Sequence, residues 1–108
     1  KHINLISRRE ICMKNYFIVS LVKNGILGGG MTADEQAITY HTGKLTVPQE
    51  YRHLVMRYDE ISAARGGWLF VLPTVTVTKK NGESYKFAVF FGRNRLIELL
   101  RVHGVNAA

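Results

Sequence analysis

Residues 74–91 read TVTVTKKNGESYKFAVFF, so two runs of alternating β-branched and aromatic residues flank a short polar turn that contains Gly82. This arrangement is typical of a β-hairpin. We therefore place a hairpin here and treat the rest of the chain as strands laid against it, followed by a helix.

The register of this hairpin follows from the positions of its apolar residues. Val77 and Phe87 can face the same side of the sheet only if paired residue numbers have an even sum. A two-residue Asn-Gly loop gives an odd sum, whereas a three-residue loop, Lys80-Asn81-Gly82, gives an even one. The sequence thus predicts Lys79 opposite Glu83, with Gly82 in the left-handed conformation as a bulge.

A short amphipathic helix is predicted directly after the hairpin, over residues 93–104. Asn94 is the expected N-cap and Gly104 the expected C-terminal stop, with Arg101 and His103 in the last turn, where the helix dipole favours cations. Its apolar face comprises Leu96, Ile97, Leu99, Leu100 and His103. We expect this face to plug the sheet.

Short strands separated by turn signals are predicted upstream of the hairpin. Their expected ranges are 15–22, 31–33, 37–42, 45–47, 54–56, 61–64 and 68–72. Gly66-Gly67 is interpreted as a hinge between the last two, and residues 57–61 as a corner. Strands at this spacing, closed by one helix, indicate an α+β domain that is mostly β, a small curled sheet or open barrel.

The glycine-rich stretch 25–32, GILGGGMT, has the spacing of a phosphate-binding loop. Met31 stands where such a loop needs its lysine, and the alternating strands and helices that carry the loop are missing. We therefore interpret the glycines as a bend between strands or as a place where the backbone is closely approached.

The whole chain has 108 residues and a net charge of +7, enough for one domain. Residues 1–14 hold four of the basic residues and one acidic residue, and a capping box from Ser7 to Glu10 predicts a helix over 8–14. We interpret 1–14 as an N-terminal extension and 15–105 as the domain.

The sequence also predicts where the protein is located. Cys12 is the single cysteine, and the sequence has no signal peptide and no apolar run long enough to span a membrane. The expected location is therefore cytoplasmic, with the membrane periphery as the alternative.

Catalytic and metal-binding patterns are not found in this sequence. The four histidines are far apart in the chain, Cys12 has no identifiable base, and Asp34 and Glu35 belong to a turn where solvent surrounds them. The sequence therefore predicts no enzyme activity, no metal and no cofactor.

Several pieces taken in order resemble the GRAM family of the pleckstrin-homology-like superfold. They are Gly29-Gly30 followed by residues 31–40, the corner 59–61, the turn 80–82 continuing through residues 85–87 to Gly92-Arg93, and residues 96–100. The resemblance covers about residues 15–105. It implies a strongly bent, seven-stranded antiparallel sheet capped by one C-terminal helix.

The family resemblance implies a non-catalytic binding or scaffolding module that engages a protein segment or an anionic membrane surface. Candidate contact residues are Lys23, Lys79, Lys80, Lys86, Arg93 and Arg95. Phosphoinositide-binding relatives gather basic residues at the first strand-strand loop, where this chain has only Lys23, so no specific inositol-phosphate pocket is expected.

Two other functions remain open from the sequence alone. The candidate residues other than Lys23 could instead bind nucleic acid, in which case binding would fall steeply with ionic strength. A structural role is the other alternative, in which an exposed strand edge associates with a second copy of the chain.

Overall fold

The computed structural model describes residues 15–23, 25–45 and 47–108. The predicted extension and its helix over 8–14 lie outside these residues. Within them, the strands are β1 (Tyr16–Val22), β2 (Ile26–Ala33), β3 (Ala37–His41), β4 (His53–Arg57), β5 (Ile61–Leu69), β6 (Leu72–Lys79) and β7 (Ser84–Val89). One α-helix, α1 (Arg93–Val102), follows, and 3-10 turns cover Gln49–Tyr51 and Tyr58–Glu60.

The seven strands form one curled antiparallel sheet in the order β4-β3-β2-β1-β7-β6-β5. Strands that follow one another along the chain are neighbours except at β4 and β5, the two edges, and β7 returns to pair with β1. The predicted class, a bent seven-stranded sheet with one C-terminal helix, is confirmed.

The core fills the concave side of the sheet, because apolar side chains alternate along each strand and one face of every strand turns inward. The largest buried side chains include Tyr40, Phe17, Phe87, Leu21 and Met31. Leu96, Ile97 and Leu100 of α1 are buried against them, and α1 contacts β5 and β6. The helix therefore closes one opening of the curled sheet, as the sequence predicted.

The β6–β7 hairpin has the predicted register. Val77 pairs with Tyr85 and Val75 with Phe87, and the Lys79 amide donates to the Glu83 carbonyl at 2.7 Å. Gly82 has a φ of +95°, in the left-handed region. Parity of the apolar residues was sufficient to select the turn.

The predicted hinge at Gly66-Gly67 is wrong. β5 runs without interruption from Ile61 to Leu69, and the chain reverses instead at Phe70-Val71, so residues 68–72 do not form one strand. Glycine permits a hinge but does not require one, and here pairing with β6 on one side keeps both glycines extended.

Two smaller predictions are also wrong. The strand predicted at 45–47 is not formed by its described residues: Leu45 lies in a turn, and the Val47 amide donates to the Lys44 carbonyl at 3.2 Å. Asn94 lies inside α1 rather than capping it, because Gly92, with a φ of +81°, turns the chain into the helix.

The three glycines at 28–30 lie within β2, so they do not form a bend, but the close approach expected for them is confirmed. A Cβ on Gly30 would lie 2.5 Å from the Tyr16 hydroxyl oxygen, and one on Gly29 would lie 3.0 Å from the Tyr40 ring. Small residues here let two tyrosines lie against the strand.

The end of the chain adds a short parallel segment to the edge of β5. The Ala64 amide donates to Asn106 at 3.0 Å, and the Gly66 amide donates to Ala108 at 2.8 Å. The fold therefore continues to Ala108, past the expected end at 105, and part of the β5 edge is covered.

Among the described residues, no helix is long and apolar enough to cross a lipid bilayer.

Candidate functional site

The β5–β6 turn exposes large apolar side chains. Leu69 pairs with Leu72, so Phe70 and Val71 alone form the turn, and they are 94% and 85% exposed. Trp68, just before the turn, is 63% exposed. Phe70 has a φ of +55°, which a bulky residue seldom adopts. Neither burial nor backbone preference explains a phenylalanine here.

The connection between β7 and α1 lies at the same end of the molecule. Phe91 is 74% exposed, and Phe90, beside Ile18 of β1, is partly exposed. Arg93 joins this connection to β5, because its guanidinium group lies 4.8 Å from the centre of the Trp68 ring. We call the exposed side chains of Trp68, Phe70, Val71, Phe90 and Phe91 the aromatic end. So many large apolar groups exposed together usually mark an interaction surface.

Two arginines at the start of α1 bring positive charge to the aromatic end. Arg93 donates from Nη1 to the Gly67 carbonyl at 2.6 Å, and its buried Nε has no partner within the described residues. Arg95 lies 4.6 Å from the centre of the Phe17 ring and donates to the Tyr16 carbonyl at 3.3 Å. Both side chains are bonded to neutral groups, and within residues 15–108 as described neither pairs with a carboxylate.

The acidic side chains of residues 15–108 lie in other places. They are Asp34 and Glu35 in the β2–β3 turn, Glu50 before β4, Asp59 and Glu60 at the corner, Glu83 at the β6–β7 turn and Glu98 on α1. None occurs in 61–82 or 84–97, and Glu98 is paired with Arg101 at 2.7 Å. The aromatic end therefore has cationic neighbours and no acidic residue in the segments that form it.

The six predicted contact residues are divided among separate places. Lys79 and Lys80 lie at the β6–β7 turn, where Lys79 is 3.5 Å from Glu83. Lys23 stands 5.6 Å from the Tyr51 ring centre, and Lys86 pairs with Val22 in mid-sheet.

Arg93 and Arg95 lie together at the other end of the β6–β7 hairpin. Arg93 bonds to Gly67, whose partner Thr74 is five residues along β6 from Lys79, which corresponds to about 17 Å. The fold therefore joins the predicted residues in pairs but does not gather them into one patch.

The sequence reasoning missed Trp68, Phe70, Val71 and Phe91 as site residues. A signal was present: residues 68–72 read WLFVL, an apolar run with no turn-forming residue. Such a run is normally a buried strand, and only the pairing of Leu69 with Leu72 shows that its centre is an exposed turn.

A polar groove also lies at the β4–β5 corner, and its side chains are bonded to one another in contacts that stabilise the fold. Tyr58 stacks on His103 with ring centres 4.2 Å apart, and its hydroxyl donates to the Asp34 carbonyl at 2.7 Å. Burial raises the pKa of Tyr58, and the Asp34 charge raises it further. A hydrogen bond from Arg57 lowers the pKa of Asp59. No group of three metal-ligating side chains occurs among the residues described.

The comparisons with known proteins show the fold and nothing finer. No protein-family model and no curated protein matches the chain. One similar structure is the crystal structure of the C-terminal domain of an unknown protein from Leishmania infantum, with a TM-score of 0.67. It is 13% identical in sequence, and the match covers 94% of this chain and 96% of that one.

Proposed function

We propose that this protein is a non-catalytic binding module, similar to GRAM and other pleckstrin-homology-like domains, that attaches to anionic membrane surfaces through its aromatic end. The observation that carries the proposal is the exposure of Trp68, Phe70, Val71 and Phe91 at one end of the molecule. Tryptophan and other amphipathic or apolar side chains insert favourably at the boundary between headgroups and acyl chains.

The charge distribution favours an anionic membrane over a neutral one. Arg93 and Arg95 border the aromatic end, and a basic residue near an anionic surface contributes about 1 kcal/mol at most. The aromatic side chains would supply the larger part, which is less sensitive to salt. This combination distinguishes the proposal from nucleic-acid binding, whose strength is dominated by charge.

The single tryptophan, Trp68, is a built-in reporter for the test. The protein is titrated with vesicles of phosphatidylcholine alone and with vesicles that also contain phosphatidylserine, at low and physiological salt. We expect a blue shift of Trp68 emission and co-sedimentation with the anionic vesicles, and only partial loss of binding at physiological salt.

Matched variants locate the contact surface. Phe70→Asn removes an exposed ring from the aromatic end and should weaken vesicle binding by about 1–2 kcal/mol, or about five- to thirtyfold. Val102→Gln changes an exposed apolar residue at the far end of α1 and should have no effect. Equal binding of Phe70→Asn and the unaltered protein would overturn the proposal. A blue shift that depends on protein concentration without vesicles would indicate self-association instead.

A further inference from the structure

A second surface of the sheet, which borders the aromatic end at Phe90, forms an open cleft. It lies on the convex face over β1 and β2, where Gly28 pairs with Ser20 and Gly30 pairs with Ile18. The two glycines contribute no side chain to the floor, and the Tyr16 ring lies over Gly30 while the tip of Lys44 lies over Gly28. We call this cleft the glycine furrow; it is widely open to solvent and has a volume of about 550 Å³.

Apolar side chains predominate on one side of the glycine furrow, where the Tyr16 hydroxyl, over Gly30, is a polar exception. Tyr16, Ile18 and Phe90, which are partly exposed, line one side, and Thr42 and Lys44 from the loop after β3 line the other. A Cβ on Gly28 would lie 3.2 Å from Lys44 Nζ and 3.7 Å from Ser20 Oγ, so these two polar atoms flank the same point of the floor.

Ser20 provides a polar side chain on the floor of the furrow. It is 4% exposed, lines the furrow, and makes no side-chain hydrogen bond within the described residues. The side chain as a whole is buried, but its hydroxyl is not among the buried unpaired atoms and so opens to the cleft. Its hydroxyl faces the open cleft beside Lys44, where a ligand could complete the bond.

The groups around this point suit a carboxylate. Lys44 contributes one positive charge, and the Ser20 and Thr42 hydroxyls can each donate a hydrogen bond. Thr42 Oγ1 accepts from the Lys44 amide at 3.2 Å, which leaves its own hydrogen available. Among the described residues, none that lines the furrow is an aspartate or a glutamate. One cation and two hydroxyl donors match a monoanion, and the apolar side toward Ile18 and Phe90 matches a hydrocarbon chain.

We propose that the glycine furrow binds a single-chain aliphatic carboxylate of the fatty-acid type, with the carboxylate at Lys44 and Ser20 and the chain lying toward Ile18 and Phe90. This site goes beyond membrane attachment, because it shares only Phe90 with the aromatic end and requires no bilayer. Free fatty acid in solution is sufficient to test it.

The probe is dodecanoate below its micelle concentration, added to the full chain labelled with ¹⁵N. We expect saturable one-site shifts of the amide signals of Ser20, Gly28, Gly29 and Gly30. Dodecyltrimethylammonium, with the same chain and the opposite charge, should not produce them. Shifts confined to Trp68 and Phe70, or equal binding of the cationic probe, would overturn the proposal.

Two variants and a control make the test specific. Gly28→Val fills the furrow, and the strand can accept valine because the nearest atom is the flexible tip of Lys44. Dodecanoate affinity should fall at least about tenfold, because the valine side chain occupies the space of both the hydrocarbon chain and the carboxylate. Lys44→Gln should lower affinity by about fivefold or less, as expected for an exposed ion pair. Lys80→Gln, a charge change at the exposed β6–β7 turn, is the control and should bind normally.

Unchanged affinity in a folded Gly28→Val protein would contradict the site. Vesicle binding by Gly28→Val should remain normal, and dodecanoate binding by Phe70→Asn should remain normal. The failure of either proposal is therefore distinguishable from the failure of the other.

Discussion

The guanidinium group of Arg93 lies over the ring of Trp68, 4.8 Å from its centre, and donates a 2.6 Å hydrogen bond to the carbonyl of the preceding residue, Gly67. This contact ties the first turn of α1 to the end of β5. It also holds in place the base of the exposed β5–β6 turn.

Replacing Arg93 with glutamine should lower the free energy of unfolding by about 1–2 kcal/mol, because the stacking on Trp68 and a charge-assisted hydrogen bond are lost together. Urea unfolding followed by Trp68 fluorescence measures this change. Arg57→Gln, which removes a solvent-exposed pair with Asp59, should change stability much less, because water and salt screen an exposed pair. Equal losses in the two variants would contradict a special role for Arg93.

Gly82→Val should destabilise the protein by about 1–2 kcal/mol, because Gly82 has a φ of +95° and a β-branched residue is strained there. No atom lies within 4 Å of the missing Cβ, so the cost comes from the backbone alone. Gly43→Val, also in open space but without a positive φ, is the control and should be close to neutral. The comparison uses chemical denaturation, and full stability of Gly82→Val would show that the turn differs.

Phe70→Asn should raise the free energy of unfolding by about 0.5–1 kcal/mol while weakening vesicle binding. Asparagine tolerates the left-handed backbone at this position better than phenylalanine does. Because the Phe70 ring is almost fully exposed, removing it loses very little buried apolar area. Thermal and urea unfolding measure the stability. A lower melting temperature would mean that the ring contributes to the fold.

Gly29→Ala should cost about 2–4 kcal/mol, because the added Cβ would overlap the backbone carbonyl oxygen of His41 and would lie 3.0 Å from the Tyr40 ring. Gly28→Ala, on the opposite face of the same strand, meets only the tip of Lys44 and should be close to neutral. Urea unfolding of the pair provides the comparison. Similar stabilities would show that β2 can shift away from β3.

Alkaline pH should destabilise the protein, because burial raises the pKa of Tyr58 above its unfolded value. The unfolded chain then releases this proton first, so stability is complete below about pH 10 and falls as pH rises beyond it. Urea unfolding between pH 8 and 11 measures the slope. Tyr58→Phe should make this slope shallower, although it also removes the hydrogen bond to Asp34; an unchanged slope would exclude Tyr58 as a cause.

The local pattern of the sequence was sufficient for the hairpin and the helix. Alternation places Val77 and Phe87 on one face, and parity then leaves a single turn length, so the register needs no information from distant residues. The apolar face of α1 is likewise a property of spacing. These interactions join residues that are close along the chain.

The wrong predictions concern positions where the backbone can adopt several conformations. Gly66 and Gly67 can bend or extend, and only the pairing with β6 keeps them extended. The run from Trp68 to Leu72 has the composition of a buried strand. The pairing of β5 with β6 instead makes its centre, Phe70 and Val71, an exposed turn. Composition alone does not give the position of such a turn.

The sequence by itself determined the strand periodicity, the β6–β7 turn and the helix, because each depends on side chains a few residues apart. Tertiary structure alone decided which surfaces carry candidate sites. The curled sheet brings Phe70 and Phe91 to one end of the molecule, next to Arg93. It also separates Arg93 from Lys79 by the length of a strand. On the convex face it places Ser20 beside Gly28. Those distances depend on the order of strands across the sheet, which joins β7 to β1 and so brings together residues about 70 positions apart in the chain.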